Sequence, residues 1–155
     1  MRAVSVRQPW AWAIARGHQP VLNRSCDTGY RGPVAVYASL RADLRSVASH
    51  VVRETALTSS DPADPVNAIG GFIAVVSLQG VCTAAAPGRP GGSRGCACGE
   101  WAAAGAYHWQ LAGPRPLRWP VLALGQPGLW ELDPEVAGGL RRFLPDEVVR
   151  AATAG

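Results

Sequence analysis

The segment Gly71 to Leu78 reads GFIAVVSL, a nearly unbroken apolar run bounded by glycines at Gly71 and Gly80. A strand with one wet face alternates apolar with polar residues, so a run of this kind is read as a central strand covered on both faces. The chain must therefore supply a layer on each side of a sheet. Other segments supply strands. Ala3 to Arg7 alternates, with Val4 and Val6 on one face, and Val34 to Ala38 is entered through Gly32-Pro33. Val21 to Asn23 is a short extended piece, Tyr107 to Leu111 alternates, and Val121 to Leu124 follows a turn marked by Gly113-Pro114. Tyr107, Trp109 and Leu111 share one face of their strand, with His108 and Gln110 on the other.

Helices fit the gaps. Pro9 sits at a first helical position, Trp10, Ala13 and Ile14 share one face, and Gly17 ends the helix. That arrangement places Trp12 on another face, exposed or on a binding surface. Ser39 caps a second predicted helix with Leu40, Leu44, Val47 and Val51 in one stripe. Its Arg41, Arg45 and Arg53 lie off that stripe, as a solvated face or a phosphate track. Asp133-Pro134-Glu135 opens a third, buried through Val136, Leu140, Phe143 and Leu144. Thr58 to Asn67 and the glycine-rich stretch Pro87 to Gly99 read as loops. Five or six strands mixed with three helices predict one small α+β, barrel-like domain over residues 1–155.

Charge narrows the chemistry. The formal net charge is +4, and all fifteen basic residues are arginine. Catalysis by a lysine amine is therefore excluded, while the planar arginine fork suits phosphates and base edges. No apolar run approaches the roughly 20 residues that span a bilayer, and the N-terminus lacks a basic-then-apolar pattern, so a cytoplasmic protein off the membrane is expected. There the four cysteines, Cys26, Cys82, Cys96 and Cys98, are expected to be reduced. Cys82, Cys96 and Cys98 are close enough in sequence to be weighed as metal donors, with Cys26 or a histidine as a fourth. Cys-x-Cys is not the usual zinc-ribbon pair, however, and one buried thiol plus loop cysteines is the favoured explanation. No metal site is assigned from the sequence. Nothing in the spacing pairs His18, His50 or His108 with a cysteine or serine nucleophile. Six tryptophans are many for this length. Trp10, Trp101, Trp109, Trp119 and Trp130 lie near Gln8, Arg24, Arg31, His108 and Arg118; such rings either stack an unpaired base or fill a small barrel.

Several blocks, in order, resemble a known family. They are Ser5 to Gly17, Asn23-Arg24-Ser25, Tyr30-Arg31-Gly32-Pro33, the strand from Gly71, Gly99-Glu100-Trp101-Ala102, Tyr107-His108-Trp109-Gln110-Leu111 and Gln126-Pro127-Gly128-Leu129-Trp130. Together they resemble the ASCH domain, a branch of the PUA-like fold, in an actinobacterial-type form. The resemblance implies a PUA-like mixed β-barrel of five or six strands with flanking helices, in a family that handles nucleic acids or modified nucleosides. The family signature Gly-x-Lys-x-x-Glu-x-Arg falls on Gly17, Gln19, Leu22 and Arg24. The lysine and glutamate positions are thus an amide and a leucine, and hydrolysis of acylated cytidine by the family route is impaired.

The resemblance also implies a basic cleft between the Gln8-to-Arg24 segment and the Tyr107-to-Leu111 strand. The expected site is Gln8, Trp10, Gln19, Asn23, Arg24, Arg31, Tyr107, His108 and Trp109, gripping RNA or single-stranded DNA. In it Arg24 and Arg31 hold phosphate or a base edge, Gln8 and Asn23 give directional hydrogen bonds, and Trp10 or Trp109 stacks. Structural alternatives stand beside these roles: an ion pair of Arg24 with Glu100 or Glu131, a turn-stabilising Arg31, a helix-capping Gln8. No cofactor is expected. The alternative function is an enzyme, a nuclease or nucleoside amidohydrolase, using His18, His108, Glu100 or Asp27 and, if a nuclease, a divalent metal. A third reading is a protein-interaction module built on the Arg89-to-Arg94 loop.

Overall fold

The computed structural model describes residues 1–41, 43, 70–83 and 98–142. The predicted helix from Ser39 falls almost wholly outside them, as do the 58–67 loop, the Arg89-to-Arg94 loop, His50, Cys96, Phe143 and Leu144. Six strands form one curled sheet: β1 (Arg2–Val6), β2 (Val21–Arg24), β3 (Gly32–Ala38), β4 (Gly71–Thr83), β5 (Tyr107–Leu122) and β6 (Leu129–Glu131). Their order is β2-β5-β4-β3-β1-β6. β1 runs parallel to β3, and every other pairing is antiparallel. Helices α1 (Trp10–Ala15) and α2 (Pro134–Arg142) complete an α+β half-barrel of PUA-like type.

The two-faced burial read from the sequence is what holds this sheet. Side chains alternate across each strand. Val4 and Val6 of β1, Val34 and Val36 of β3 and Val76 and Leu78 of β4 pack with Ala11, Ile14 and Ala15 of α1. Ala3, Ala35, Tyr37 and Phe72 point the other way and pack with Leu132, Leu140 and Trp130. A bulge between Phe72 and Ala74 sends both Ile73 and Ala74 to the α1 side.

Three expectations are corrected. The two strands predicted around Gly113-Pro114 are one strand, β5. β2 covers it only from Tyr107 to Gln110. Beyond that β5 is an edge, where Pro114, Pro116 and Pro120 cost no ladder bond on the open side, and register shifts against β4 absorb the irregularity. Leu129–Glu131, read from the sequence only as a family block, is a strand paired with β1. Finally, α1 is too short to have a wet face: Ala11 to Ala15 are all buried, and Trp12 packs its ring on His18 at 5.3 Å. Trp12 is therefore core, and Trp10, half-buried, is the ring that reaches the surface.

Gly17 does end α1, at φ +77°, with its N–H bonded to the Ile14 carbonyl. Gly125 is required for a different reason: a Cβ there would overlap the Tyr37 ring, whose hydroxyl bonds the Ala123 carbonyl at 3.0 Å. Gly125→Ala should destabilise the fold by about 1–3 kcal/mol. Gly138→Ala, with open space around it inside α2, should stabilise by about 0.5–1 kcal/mol. Urea denaturation of both variants checks the opposite signs.

Candidate functional site

A cleft of about 810 Å³ opens where β1 ends and α1 begins. Ser5, Val6, Arg7 and Trp10 form one side, and Gln19, Leu22, Asn23 and Arg24 another. Glu100 and Trp101 form a third wall, on a single 3₁₀ turn (Gly99–Trp101). The rim is the segment from Leu124 to Gly128 together with Ser39, Leu40 and Arg41.

Each wall has an identifiable anchor. Asn23 fixes the 3₁₀ turn with both ends of its amide: Nδ2 donates to the Trp101 carbonyl at 2.8 Å, and Oδ1 accepts from the Ala103 N–H at 3.0 Å. That turn brings Trp101 edge-on to Trp10, with ring centroids 6.1 Å apart and planes at 87°. Trp10 Nε1 donates to Asp43 at 3.4 Å, and the Asp43 N–H bonds the Gln8 carbonyl. The rim is tied to β1 by Ser5, whose Oγ donates to the Gln126 carbonyl at 2.7 Å.

Arg24 is the central cation. One of its terminal nitrogens donates to the Ser5 carbonyl at 2.7 Å, and its guanidinium carbon sits 5.6 Å from the centroid of the Trp109 ring. Burial pushes its pKa below the ordinary arginine value, with the Cys26 thiol pulling the other way. Its Nε is buried and has no hydrogen-bond partner. Gln19, 5% exposed, is the complement. Its Nε2 donates to the Val21 carbonyl at 2.7 Å, which fixes the amide orientation and leaves a buried Oε1 with no donor. A buried donor and a buried acceptor, each unsatisfied, thus line one cleft. Native proteins seldom leave such atoms unpaired except where something else completes them.

The residues expected from the sequence divide. Trp10, Gln19, Asn23 and Arg24 line the cleft, and Gln8, Arg31, Tyr107, His108 and Trp109 do not. Gln8 is buried and its Oε1 accepts from the Trp12 N–H at 3.0 Å, so it caps α1. Arg31 bonds the carbonyls of Thr28 and Tyr30, which folds its own turn. Tyr107 and Trp109 turn into the α1-side core, because their face of β5 is the one that α1 covers, and Trp109 Nε1 is spent on the Cys26 carbonyl at 3.0 Å. His108 is fully buried on the opposite face. The tryptophan rings that line the cleft are Trp10 and Trp101, and Trp109 is not among them. Arg7, Arg41 and the 124–128 rim were not among the expected site residues, although Arg7 and the rim fall in or beside family blocks; Trp101 was named only among the rings that could stack a base.

No protein-family model and no curated protein matches the chain. Among solved structures it is similar to a Tyr-to-Phe mutant of ZmASCH from Zymomonas mobilis, with a TM-score of 0.54 and 16% identity over 93% of this chain and 98% of that one. The chain has the ASCH, PUA-like fold. Within this ASCH fold, Gln19, Leu22 and Arg24 all face the cleft. The places where the family resemblance puts a lysine and a glutamate are thus cleft positions, held here by an amide and an alkyl chain. Among the described lining residues Glu100 is the one carboxylate, and it is exposed. No helix among the described residues is long and apolar enough to cross a membrane.

Asn23→Ala should remove both bonds to the 3₁₀ turn. At about 1 kcal/mol each, with an added penalty for the orphaned Ala103 N–H, the expected loss is about 1–3 kcal/mol. Tryptophan fluorescence should shift before global unfolding in urea, as Trp101 leaves Trp10.

Proposed function

We propose that this ASCH-fold chain binds single-stranded RNA or DNA in the cleft and holds one unstacked base against Trp10 and Trp101. The observation that carries the reading is that Gln19 and Arg24, each holding a buried polar atom with no partner among the described residues, line one cleft. A nucleobase edge offers a donor beside an acceptor, the complement of such a pair. Every base also has a π-face for the tryptophans, and stacking of this kind contributes about 1–3 kcal/mol per base. Arg7 and Arg41 are exposed on the same cleft, where backbone phosphates of a bound strand would pass. The wider role of RNA binding is the one the fold suggests.

Hydrolysis is the weaker reading. The cleft positions that would carry an activating lysine and an acid carry Gln19 and Leu22. His108 is sealed in the interior, and His18 lies against Trp12.

The test is fluorescence anisotropy with labelled single-stranded RNA and DNA over a salt series, with the strands run afterwards on a denaturing gel. Saturable binding of intact strands is expected, weakening as salt rises. Arg7→Ala and Arg41→Ala should each lower the salt slope by about 1. Gln19→Leu should weaken binding about 5- to 100-fold with the slope unchanged, because it removes a base contact and no charge. Arg118→Ala, on the exposed side of β5 away from the cleft, should bind as the parent does. Binding that is indifferent to Gln19, Arg7 and Arg41 would place the strand elsewhere, and cleaved strands would favour a nuclease.

A further inference from the structure

Away from the cleft, Cys82 near the end of β4, Cys98 just before the 3₁₀ turn and His108 on β5 converge. Their donor atoms all lie within 4.8 Å of one another. The two sulfurs are 3.2 Å apart, and Cys82 Sγ is 3.9 Å from His108 Nδ1. His108 is fully buried and Cys98 is 7% exposed. We propose that Cys82, Cys98 and His108 form a structural site for a thiophilic divalent metal ion, Zn²⁺.

Four observations support it. Zn–S bonds of about 2.3 Å and Zn–N bonds of about 2.0–2.1 Å in a tetrahedron put donor atoms roughly 3.5–3.8 Å apart. To reach that, the two sulfurs part by about half an ångström from 3.2 Å, Cys82 Sγ and His108 Nδ1 close by about 0.4 Å from 3.9 Å, and Cys98 Sγ and the imidazole, within 4.8 Å of one another, close by up to about 1 Å. The imidazole is oriented for the task. His108 Nε2 lies 2.8 Å from the Ala103 carbonyl oxygen, which can only accept, so Nε2 carries the proton in the neutral ring and the Nδ1 lone pair is left on the sulfur side. A metal-bound histidine characteristically has its second nitrogen anchored in this way. The sulfurs also have a common donor: Gln110 Nε2 lies 3.7 Å from Cys82 Sγ and 3.6 Å from Cys98 Sγ, a placement that stabilises thiolates. Gly80 makes room for that amide, since a Cβ there would come within 2.5 Å of Gln110 Oε1. Two thiolates and an imidazole select Zn²⁺ over Mg²⁺ or Ca²⁺. Binding forms two Zn–S bonds and one Zn–N bond, a water would complete the tetrahedron, and the two thiol protons pass to solvent. None of the three residues lines the cleft, so the ion would hold structure and take no part in turnover.

The experiment uses full-length protein purified under reductant, with bound metal measured after dialysis and with zinc chloride and cobalt chloride as titrants. One equivalent of zinc is expected. Cobalt should give the intense thiolate-to-metal absorption of a tetrahedral site. Cys82→Ser and Cys98→Ser each change one atom and should abolish that absorption, while Cys26→Ser, at an exposed cysteine, should leave it intact. Gln110→Ala, losing only the outer hydrogen bonds, should weaken zinc by about 10- to 100-fold. His108→Gln should retain a weaker, spectrally altered site. Failure of the reduced protein to bind zinc, or binding undiminished in both Cys82→Ser and Cys98→Ser, overturns the proposal. A Cys82–Cys98 disulfide that survives purification under reductant overturns it as well.

Discussion

Everything at the working end of this molecule depends on the register in which β2, β5 and β4 lie side by side. Asn23 faces His108, and His108 faces Cys82; one step along, Leu22 faces Trp109, and Trp109 faces Val81. Because successive side chains alternate, these are two rows on opposite faces. The row through Trp109 closes the core against α1. The row through His108 carries the polar groups that organise the 98–103 segment. A slip of one residue would exchange the faces, burying Asn23 and Gln110 in the α1-side core and exposing Trp109. The apolar row therefore fixes the position of the polar one.

The cleft follows from that register and from the end of β1. Leu22 and Arg24 share the face of Trp109, so Arg24 is carried onto the indole ring and reaches across to the Ser5 carbonyl. A guanidinium removed from water beside an aromatic ring keeps its charge but loses hydration, and each unspent N–H becomes a stronger donor for a ligand that excludes solvent. Gln19 arrives at the same place by another route. The glycine-terminated end of α1 turns the chain so that its amide nitrogen is gripped by the Val21 carbonyl while its buried oxygen has no partner among the described residues. The cleft thus combines Gln19 and Arg24 on core-anchored elements with the exposed Arg7 and Arg41 at its rim.

What could be read in the sequence follows how local each signal is. Strands β3 and β4 were legible because two-sided burial leaves an apolar run with no turn chemistry inside it, and β1 because its residues alternate. The split of β5 into two strands was a reasonable error: Gly113-Pro114 is a turn signal, and it is taken up by a register shift against β4 where no described strand pairs with the other side of β5. Trp10 and Trp12 were exchanged because helical periodicity assumes a solvated side, and a helix of six residues packed against three strands has none. Arg24, Asn23, Gln19 and Trp10 were legible as cleft residues through the family motif and its neighbours. The parts assigned to Gln8 and Arg31 were not, since a polar side chain that satisfies its own backbone looks, in sequence, the same as one kept for a ligand. Arg7 lies in the family block Ser5 to Gly17 but was not singled out within it, and Arg41 lies in no block.

The 98–103 segment meets the sheet at two points, and the two differ in kind. At Ala103 and Trp101 it is held by the Asn23 amide, and at Ala103 again by the His108 ring. At Cys98 it comes against Cys82. The 3₁₀ turn that presents Trp101 and Glu100 to the cleft lies between these points, and it contributes no buried residue of its own to either core cluster. Among the described residues its position is set by these hydrogen bonds, by the Cys98–Cys82 contact and by the edge-on contact of Trp101 with Trp10. Hydrogen bonds of this sort are individually worth about 1 kcal/mol and can open locally without unfolding the sheet. The wall carrying Trp101 is thus the part of the cleft least constrained by packing, whereas Arg24 and Gln19 rise from elements locked into the core. A ligand would find its polar partners already in place and the aromatic wall free to adjust, and any bond that tightens Cys98 onto Cys82 would stiffen that wall without touching the cleft itself.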